Sequence, residues 1–486
     1  MVSVFPVAKA ALLLALLALG GGPASGPATF GDAGDQATAT LLHVFYAGGG
    51  LWNDCDVSGA CRQGNGDWGE DSFTYALWLR WQTTHDPAVL PAMRELFATA
   101  PSYPGPCSGA CGSWSDVPEW DAIAALREYA VLNDPNALGK AGLAFGFVEG
   151  SDAYALGACP DIRYQQPHGQ DNQLKTLETD ANAIKAALLL FDATKQHVYL
   201  ESAVSRYAAV RAQFLDPKVP LYSVYVFDDG QHCKQVPHRF FASVNGDMIW
   251  SGLELARATG DARYRSDALA SGRAVVADLS DGASVFADLQ AENDIVEPLV
   301  EGMYALATDA KASFARAWIL TNAAAALSDR AANGSFGRFF DGPAPTAMTT
   351  AWQANGGLAL EIAAGALDPG GTVPTRDAWA GARHVNRSVG IGDTVAIHAS
   401  AVAFFGTLGE TCCEAGHARV FIDGRETFDG TGIWQNKSSS GRSFSGTVLF
   451  VWRWPRRGVH RIRFAPGVQN GKEGGPFLHI TGYLVR

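Results

Sequence analysis

The sequence predicts an all-α barrel of six helical hairpins, an (α/α)6 barrel, followed by a smaller β-sandwich. Three observations support this prediction. Apolar residues recur at helical spacing from about residue 33 to residue 365. A similar turn phrase separates one helix from the next at intervals of roughly 50–65 residues, as in a repeated helical hairpin. Beyond a linker rich in Pro and Gly, the apolar period changes to that of strands.

The first 28 residues have the pattern of a secretory signal peptide. Lys9 precedes an apolar run over residues 10–19, and small residues follow the run. The run is shorter than the roughly 20 apolar residues that cross a bilayer, and no later segment is long and apolar enough to do so. We therefore expect a secreted protein, extracellular or periplasmic, without a membrane anchor.

The charge balance and the cysteines argue against several partners and cofactors. A net charge of -12 argues against nucleic acid or an anionic membrane surface as the partner. All eight cysteines follow residue 28, and an even number in an exported protein predicts disulfides. Their spacing does not match zinc ligand pairs, and no phosphate-binding or calcium loop occurs, so we expect no metal and no cofactor. The predicted pairs are Cys55 with Cys61, Cys107 with Cys111, and Cys159 with Cys233, while Cys412 and Cys413 stay unassigned.

Twelve helices follow from the apolar spacing and the turn phrases. In these phrases Asn, Gly or Asp-Pro ends one helix, and an apolar residue a few positions on starts the next. With short turns at one end of each pair and long loops at the other, a closed ring gathers the long loops at one mouth. An open solenoid is the alternative, but its end faces would need capping repeats. The helices are predicted near residues 33–47, 70–85, 87–99, 119–132, 135–147, 180–194, 197–214, 245–258, 262–278, 293–307, 311–331 and 349–365.

The C-terminal part is predicted to be a β-sandwich of the jelly-roll kind. Gly and Pro interrupt the helical period over residues 366–376, and polar and apolar residues alternate in the segments beyond. The sequence thus divides into a signal peptide (1–28), a barrel (29–365), a linker (366–376) and a sandwich (377–486). Strands are predicted at residues 394–398, 418–422, 447–452, 459–464 and 478–485.

The best candidate for chemistry is the acidic, aromatic stretch that leads into the helix near residue 119. It places Asp116 and Glu119 beside Trp114 and Trp120. Carboxylates can move protons and indole faces can hold sugar rings, which are the requirements of a carbohydrate-cleaving site. A competing interpretation is a capping box, in which Asp116 and Glu119 bond the first backbone N–H groups of the helix. A carboxylate used in that way has a lowered pKa and is a poor general acid.

Two further groups of polar and aromatic residues stand before or at the start of predicted helices. Residues 65–71 contain Trp68, Glu70 and Asp71, where the carboxylates could also serve only to complement the helix dipole. Helix capping is likewise the alternative for most of the second group. That group, predicted to bind substrate at the same mouth, consists of Asp180, Asn182, Asn245, Asp247, Trp352 and Gln353.

The stretch WSDVPEW, residues 114–120, resembles the motif of the glycoside hydrolase family 76 α-1,6-mannanases. That motif has an aromatic residue, two adjacent aspartates, two variable residues and a Trp-Trp pair at the start of a helix. Asp116 falls on the second aspartate, the family's acid/base, and Ser115 on the first, its nucleophile. Glu119 stands in place of the first Trp. The resemblance spans roughly residues 35–365 and implies an (α/α)6 barrel that cleaves mannan.

The serine leaves the origin of a second catalytic carboxylate open. Asp116 could work with Asp71 or Glu70 from another loop. Glu119 or Asp121 could have taken over the role. The third possibility is a site that binds sugar without cleaving it.

We therefore expect a monomeric, secreted glycosidase that hydrolyses a mannan-like or other cell-wall polysaccharide through carboxylate acid/base catalysis. A polysaccharide lyase or another six-hairpin carbohydrate-active enzyme is the second candidate, although a lyase should place basic residues rather than carboxylates in the cleft. A non-catalytic carbohydrate-binding protein is the third. In the sandwich, Trp434, Trp452 or Trp454 are candidates for binding sugar, with core packing as the alternative for at least two of them.

Overall fold

The structure is a computed structural model that describes most of the chain from residue 28 onward. Each statement below concerns these residues. They comprise 28–63, 73–96, 102–108, 114–167, 174–236, 239–287, 296–328, 330–337, 339–346, 348–349, 351–374, 378–408, 417–427, 432–434, 444–466, 468–469, 472–473 and 480–486.

The predicted helices are present in the described part of the chain, most of them shifted by a few residues at one end. The helix predicted at 33–47 turns into a π-helical turn over Leu41–Phe45, and the one predicted at 87–99 begins as a 3-10 turn over Pro87–Val89. No described helix is long and apolar enough to cross a membrane. The α-helices are Phe30–Thr40 (α1), Phe73–Thr84 (α2), Leu90–Glu95 (α3), Asp116–Leu132 (α4), Pro135–Glu149 (α5), Leu177–Thr194 (α6), His197–Phe214 (α7), Ala242–Thr259 (α8), Ala262–Asp278 (α9), Glu297–Thr308 (α10), Ser313–Ser328 (α11) and Ala351–Leu367 (α12).

The helices form a ring of six hairpins. The even-numbered helices α2 to α12 each contact the next even-numbered one, and α12 also contacts α2, which closes the ring. The odd-numbered helices lie outside them, and α1 packs on α12, so the first and last helices make the sixth hairpin. Phe30 N donates to Gly371 O at 2.9 Å where these two helices meet. At one contact of the inner ring, between α8 and α10, a Cβ on Gly246 would lie 2.2 Å from Pro298 O, so only glycine fits.

Short turns join each inner helix to its outer partner, and their residues explain the repeated phrase in the sequence. α4 ends at Asn133 in the left-handed conformation, with φ of 54°. Asp134 then caps α5 by accepting from Asn136 N at 2.9 Å, and Pro135 occupies the first turn. Gly260 and Asp261 repeat the arrangement between α8 and α9. Because a left-handed residue stops one helix and an Asp starts the next, the chain reverses within a few residues.

Small sheets and disulfides order the longer connections. The strands Leu51–Asp56 (β2) and Cys61–Gln63 (β3) pair with Cys55 opposite Cys61, and these two cysteines are bonded as predicted. The predicted bond between Cys159 and Cys233 is also present. The pair proposed for Cys107 includes Cys111, which lies outside the described residues, as do Cys412 and Cys413. The remaining strands of these connections are Tyr46–Gly48 (β1), Leu174–Thr176 (β4), Tyr225–Asp228 (β5), Cys233–Gln235 (β6) and Met348–Thr349 (β7).

A charged network fills the middle of the barrel. Lys185 Nζ contacts Asp247 Oδ1 at 2.7 Å and Glu301 Oε2 at 2.5 Å, and Arg127 also pairs with Glu301. All four side chains are almost fully buried. Burial alone would raise the pKa of Glu301, but Arg127 and Lys185 offset it and hold that pKa below its usual value. Glu301 is therefore a buried carboxylate that two cations keep ionised.

The C-terminal strands form one antiparallel sheet of seven described strands. Its order is β11, β10, β13, β9, β16 and β8, with β12 also on β10. A second apolar core, separate from that of the barrel, lies on it. The sandwich and the domain limits remain predictions. The sheet strands are Arg383–Val385 (β8), Thr394–Leu408 (β9), His417–Ile422 (β10), Arg425–Glu426 (β11), Gly432–Trp434 (β12), Phe444–Pro466 (β13) and Ile480–Val485 (β16), and Val468–Gln469 (β14) pairs apart with Lys472–Glu473 (β15).

A buried polar junction joins the sheet to the loop after α9. Gly282 N donates to Arg453 O at 3.0 Å, and Arg453 N donates to Asp281 Oδ2 at 3.2 Å. Arg453 Nε lies 2.7 Å from Asp341 Oδ2. Burial and the neighbouring, hydrogen-bonded Asp341 carboxyl raise the pKa of Asp281 to about 8. The two aspartates therefore hold one proton between them beside a single arginine at neutral pH.

The junction predicts that stability falls as the pH rises from about 4 to about 8. In that window the folded protein keeps the Asp281 proton and the unfolded chain has lost it, so each pH unit costs up to about 1.4 kcal/mol. Asp281→Asn, which cannot ionise, should flatten this slope in urea unfolding measured across the window. Asp267→Asn, at an exposed ion pair on α9, should leave the slope unchanged. If stability fell with pH as steeply in Asp281→Asn as in wild type, the proton shared by Asp281 and Asp341 would be refuted.

Candidate functional site

The topology of the barrel brings the start of every inner helix to one end. We call this end the mouth. The connections that arrive there, from each outer helix to the next inner one, are the long ones, whereas the opposite end has the short turns. The predicted site residues that the structure describes lie at or near the starts of α4, α6, α8 and α12. That these residues share one cleft stays a prediction.

Trp114 and Asp116 lie on either side of Ser115 at the start of α4. Asp116 is the first residue of α4 and is 8% exposed, whereas the Trp114 indole two residues earlier is 42% exposed. Burial raises the pKa of the Tyr154 phenol, and the nearby charge of Asp116 raises it further. An exposed indole beside a largely buried carboxyl is the combination that sugar binding and proton transfer require.

Ser115 is held by the loop next to it. Its hydroxyl donates to Tyr164 O at 2.8 Å and contacts Thr179 Oγ1, and its N–H donates to Gln165 O at 3.0 Å. The residue is fully buried. A hydroxyl that is shielded from solvent and engaged with a carbonyl is in no position to attack a sugar. Ser115 therefore fixes the start of α4 against the next loop.

Glu119 lies one turn into α4, and the capping box is absent. The cap position is Ser115, in helical conformation and without a side-chain capping bond, so the helix starts three residues earlier than predicted. Both carboxyl oxygens of Glu119 are buried without a hydrogen-bond partner. Burial, together with the charge of Glu149, raises the pKa of Glu119 well above its usual range. The Glu119 carboxyl therefore keeps its proton to a higher pH than an ordinary glutamate does.

A buried ion-pair network supports this part of the mouth. Glu149 Oε2, at the end of α5, accepts from Arg163 Nη2 at 3.1 Å and also from Arg206 of α7. Arg206 Nη1 donates to Asp180 Oδ1 at 2.6 Å. Asp180 in turn accepts from Arg163 N at 3.1 Å. The network joins α5, α6 and α7 beneath the loop that carries Tyr164, and Glu119 lies within its electrostatic range.

The environments of Glu119 and Glu149 predict different effects on stability when each is changed to glutamine. Glu119→Gln should leave stability nearly unchanged below about pH 4.5, because the wild-type side chain is then protonated in both the folded and the unfolded state. The folded state keeps this proton above the unfolded pKa of about 4.5, so the variant should gain relative stability as the pH rises. Glu149→Gln leaves two arginines short of their carboxylate and should cost about 3 kcal/mol or more. Urea unfolding at several pH values checks both, and equal losses in the two variants would contradict the assignment.

The other predicted residues that the structure describes have structural contacts. Asn245 uses its whole amide, accepting from Tyr222 N at 2.9 Å and donating to Tyr222 O and Phe241 O. Asp247 is paired with Lys185 in the barrel interior. Asn182 and Trp120 are buried. We therefore do not propose that these residues, or Asp180, contact the substrate.

Five predicted residues cannot be placed by their side chains. Trp68, Glu70 and Asp71 lie outside the described residues. For Trp352 and Gln353 the structure describes the backbone, at the start of α12, and not the side chains.

Sequence reasoning missed Tyr103, Tyr154 and the Glu149 network. Tyr103 donates its hydroxyl to Asp121, and the charge of Asp116 contributes to the raised pKa of Tyr154. Both tyrosines belong to irregular connections with no periodic pattern, so no local signal marks them. The Arg206 to Glu149 pair joins residues 57 positions apart, which the packing of α5 and α7 against α6 brings together.

A separate cavity of about 370 Å³ opens at the opposite end of the barrel. Trp78, Arg127 and Trp250 contribute to its lining, and it includes none of the predicted catalytic residues. Among the described residues, no group of His, Cys, Asp or Glu is arranged to hold a metal ion.

Comparison with solved structures identifies the fold. No protein-family model and no curated protein matches the chain. An inactive variant of the alpha-1,6-mannanase GH76A of a Salegentibacter species, with two adjacent aspartates changed to alanine and alpha-1,6-mannotetrose bound, matches with a TM-score of 0.59 at 20% identity. This match covers 70% of the present chain and 100% of that one. A family 76 glycoside hydrolase (mannosidase) of Bacteroides thetaiotaomicron matches with a TM-score of 0.57 at 14% identity, over 70% of this chain and 98% of that one.

The helical region thus has the fold of glycoside hydrolase family 76, and the resemblance found in the sequence is confirmed at the level of the fold. A cellobiose 2-epimerase of Bacillus thermoamylovorans also matches, with a TM-score of 0.55 at 11% identity, over 69% of this chain and 98% of that one. Because one fold serves several reactions, the chemistry has to be argued from the site.

Proposed function

We propose that the protein is a secreted glycoside hydrolase that cleaves a mannan-like cell-wall polysaccharide at the mouth of its barrel. The observation that carries the proposal is the pairing of the exposed Trp114 with the largely buried Asp116 at the start of α4. Trp114 offers a flat apolar face to a sugar ring, and Asp116 offers a carboxyl shielded from bulk water. The solved family 76 enzymes with the same fold support mannan as the substrate class.

Asp116 is the proposed proton donor to the leaving glycosidic oxygen. Ser115 cannot supply the second carboxyl, and its buried hydroxyl is bonded to Tyr164 O. Glu119 is fully buried, so it acts through its neighbours and does not touch substrate. We propose that Asp71 or Glu70, predicted at the same mouth, supplies the second carboxylate. A retaining enzyme would hold the two carboxyls about 5–5.5 Å apart and an inverting one about 6.5–9.5 Å apart.

The proposal is tested by incubating the purified protein with a panel of fungal and bacterial wall glycans and measuring released oligosaccharides. We expect release from an α-1,6-linked mannan. Release from no glycan on the panel would reject hydrolysis.

A binding protein without catalysis is the second candidate, and the contacts of Ser115 favour it. Ser115, which falls on the nucleophile position in the sequence resemblance, is bonded to Tyr164 O and Thr179 Oγ1 inside the protein. Affinity for a glycan, together with no oligosaccharide release from it, would establish this second function. Release would exclude it.

We further propose that the C-terminal sheet (377–486) folds over into a sandwich, after the barrel (29–365) and the linker (366–376). The first half of β13 pairs with residues 401–408 of β9, and its second half, after a break in register, pairs with residues 394–399. β16 joins only the second half of β9, at residues 402–406, and β10 joins only the end of β13. Phe404 and Phe464, from the two halves, meet edge to face at 5.1 Å, as expected for opposed inner faces.

A further inference from the structure

A groove of about 730 Å³ lies between the barrel and the C-terminal sheet. Its barrel wall consists of the loop after α7, the residue Phe240 before α8, and the end of α9 with the loop that follows. Its sheet wall includes Trp452 and Trp454 of β13 and the β10–β11 turn, which carries Arg425. Neither region alone forms this groove.

The groove belongs to the same end of the barrel as Asp116. The barrel residues that line it either follow the outer helices α7 and α9 or precede the inner helix α8. Outer helices end, and inner helices begin, at the mouth. α4, α6 and α8 are successive neighbours in the inner ring, so the groove is about 20 Å from the start of α4 at the usual helix spacing.

The groove has the composition of a site for an uncharged sugar chain. Trp454 stacks on His460 at 3.9 Å with an angle of 13° between the rings, and Asp423 holds that histidine at 2.8 Å. The Trp454 indole is therefore fixed in orientation. Charges of both signs stand around the indoles, which disfavours a strongly anionic or cationic polymer and suits hydroxyl groups. The charged residues are Lys218, Asp278, Asp423, Arg425 and Glu426.

The buried junction keeps the two walls in a fixed relation. Arg453, between the two groove tryptophans, is bonded through its backbone to Asp281 and Gly282 of the barrel loop. A Cβ on Gly282 would lie 2.7 Å from Arg453 O, so the strand approaches this loop as closely as the backbone permits. Trp452 and Trp454, on either side of Arg453, are thereby positioned against the barrel.

We infer that this groove is a remote subsite, which binds a neutral polysaccharide chain that also reaches the mouth. The inference rests on the proposed function for the identity of the glycan and extends it to chain length. Because the subsite is about 20 Å from Asp116, it engages a polymer and not a short oligosaccharide. Binding energy at the groove raises affinity for long chains and leaves the bond-breaking step unchanged.

The test compares polymer and tetrasaccharide on the same set of variants. The probes are soluble α-1,6-mannan and α-1,6-mannotetraose, with affinity measured by calorimetry and product release measured in parallel. Trp454→Ala should weaken affinity for the mannan about tenfold and leave kcat/KM for the tetrasaccharide within twofold of wild type. Arg425→Ala, at an exposed turn in the groove, should also weaken affinity for the mannan and guards against a folding defect in the tryptophan variant. Val459→Ala is the matched control, since this exposed β13 residue is absent from the groove lining.

The outcomes separate this inference from the proposed function. Wild-type affinity for the mannan in both groove variants would overturn the subsite. Equal losses for mannan and tetrasaccharide would also overturn it, because they would place the residues at the mouth. Absence of any product with the wild type, alongside a groove-dependent affinity for the mannan, would reject hydrolysis and leave the subsite supported. Absence of affinity for the mannan in the wild type would overturn the subsite.

Discussion

Asp116→Asn is expected to lower oligosaccharide release by about 10²–10⁴-fold, which is the usual contribution of a general acid. The amide has the shape of the carboxyl but cannot donate the proton to the leaving oxygen. Stability should change little, because the amide keeps the size of the carboxyl and can still accept hydrogen bonds. Steady-state rates on the cleaved glycan, together with thermal unfolding, check both expectations.

Asp152→Asn is the matched control for this variant. Asp152 is an exposed aspartate in the short 3-10 turn that also carries Tyr154, so it shares the neighbourhood and not the chemistry. Its activity should stay within twofold of wild type. A stable Asp116→Asn protein with normal activity would remove Asp116 from the mechanism, and an unfolded one would assign it a structural role.

The largest loss of stability is expected for Glu301→Gln. Glu301 is bonded to Arg127 and Lys185 in the barrel interior, and the substitution would remove the carboxylate that these two cations share. Breaking a buried ion pair from one side typically costs about 3–5 kcal/mol. Urea unfolding followed by far-UV circular dichroism should show the loss as a lower midpoint of the helical transition.

Asp267→Asn provides the comparison, because its partner Arg211 is about half exposed. Exposed pairs contribute about 0–1 kcal/mol, so this midpoint should hardly move. A Glu301→Gln midpoint equal to that of Asp267→Asn would show that the interior network does not stabilise the barrel.

The repeated hairpin was accessible from the sequence because its information is local. Asn133, Asp134 and Pro135 stop one helix and start the next through their own backbone preferences, and the apolar period fills the space between such turns. The closure of the ring was predictable only as the economical arrangement of six hairpins. The structure adds the contact of α12 with both α1 and α2.

The site was less accessible because its decisive contacts join distant residues. The spacing of Asp116 and Glu119 fits a capping box, and no local pattern reveals that Ser115 is anchored by Tyr164, 49 positions away. No local pattern reveals the environment of Glu119 either, because its pKa depends on a network built from α5, α6 and α7. Tertiary packing overrode a valid local interpretation at this one helix start.

The most direct test of the central claim is a crystal structure of the Asp116→Asn protein with α-1,6-mannotetraose. We expect a sugar ring against Trp114 and a glycosidic oxygen within hydrogen-bond distance of the side chain at position 116. A tetrasaccharide bound at the opposite end of the barrel, in the cavity lined by Trp78 and Trp250, with the mouth unoccupied, would contradict this account.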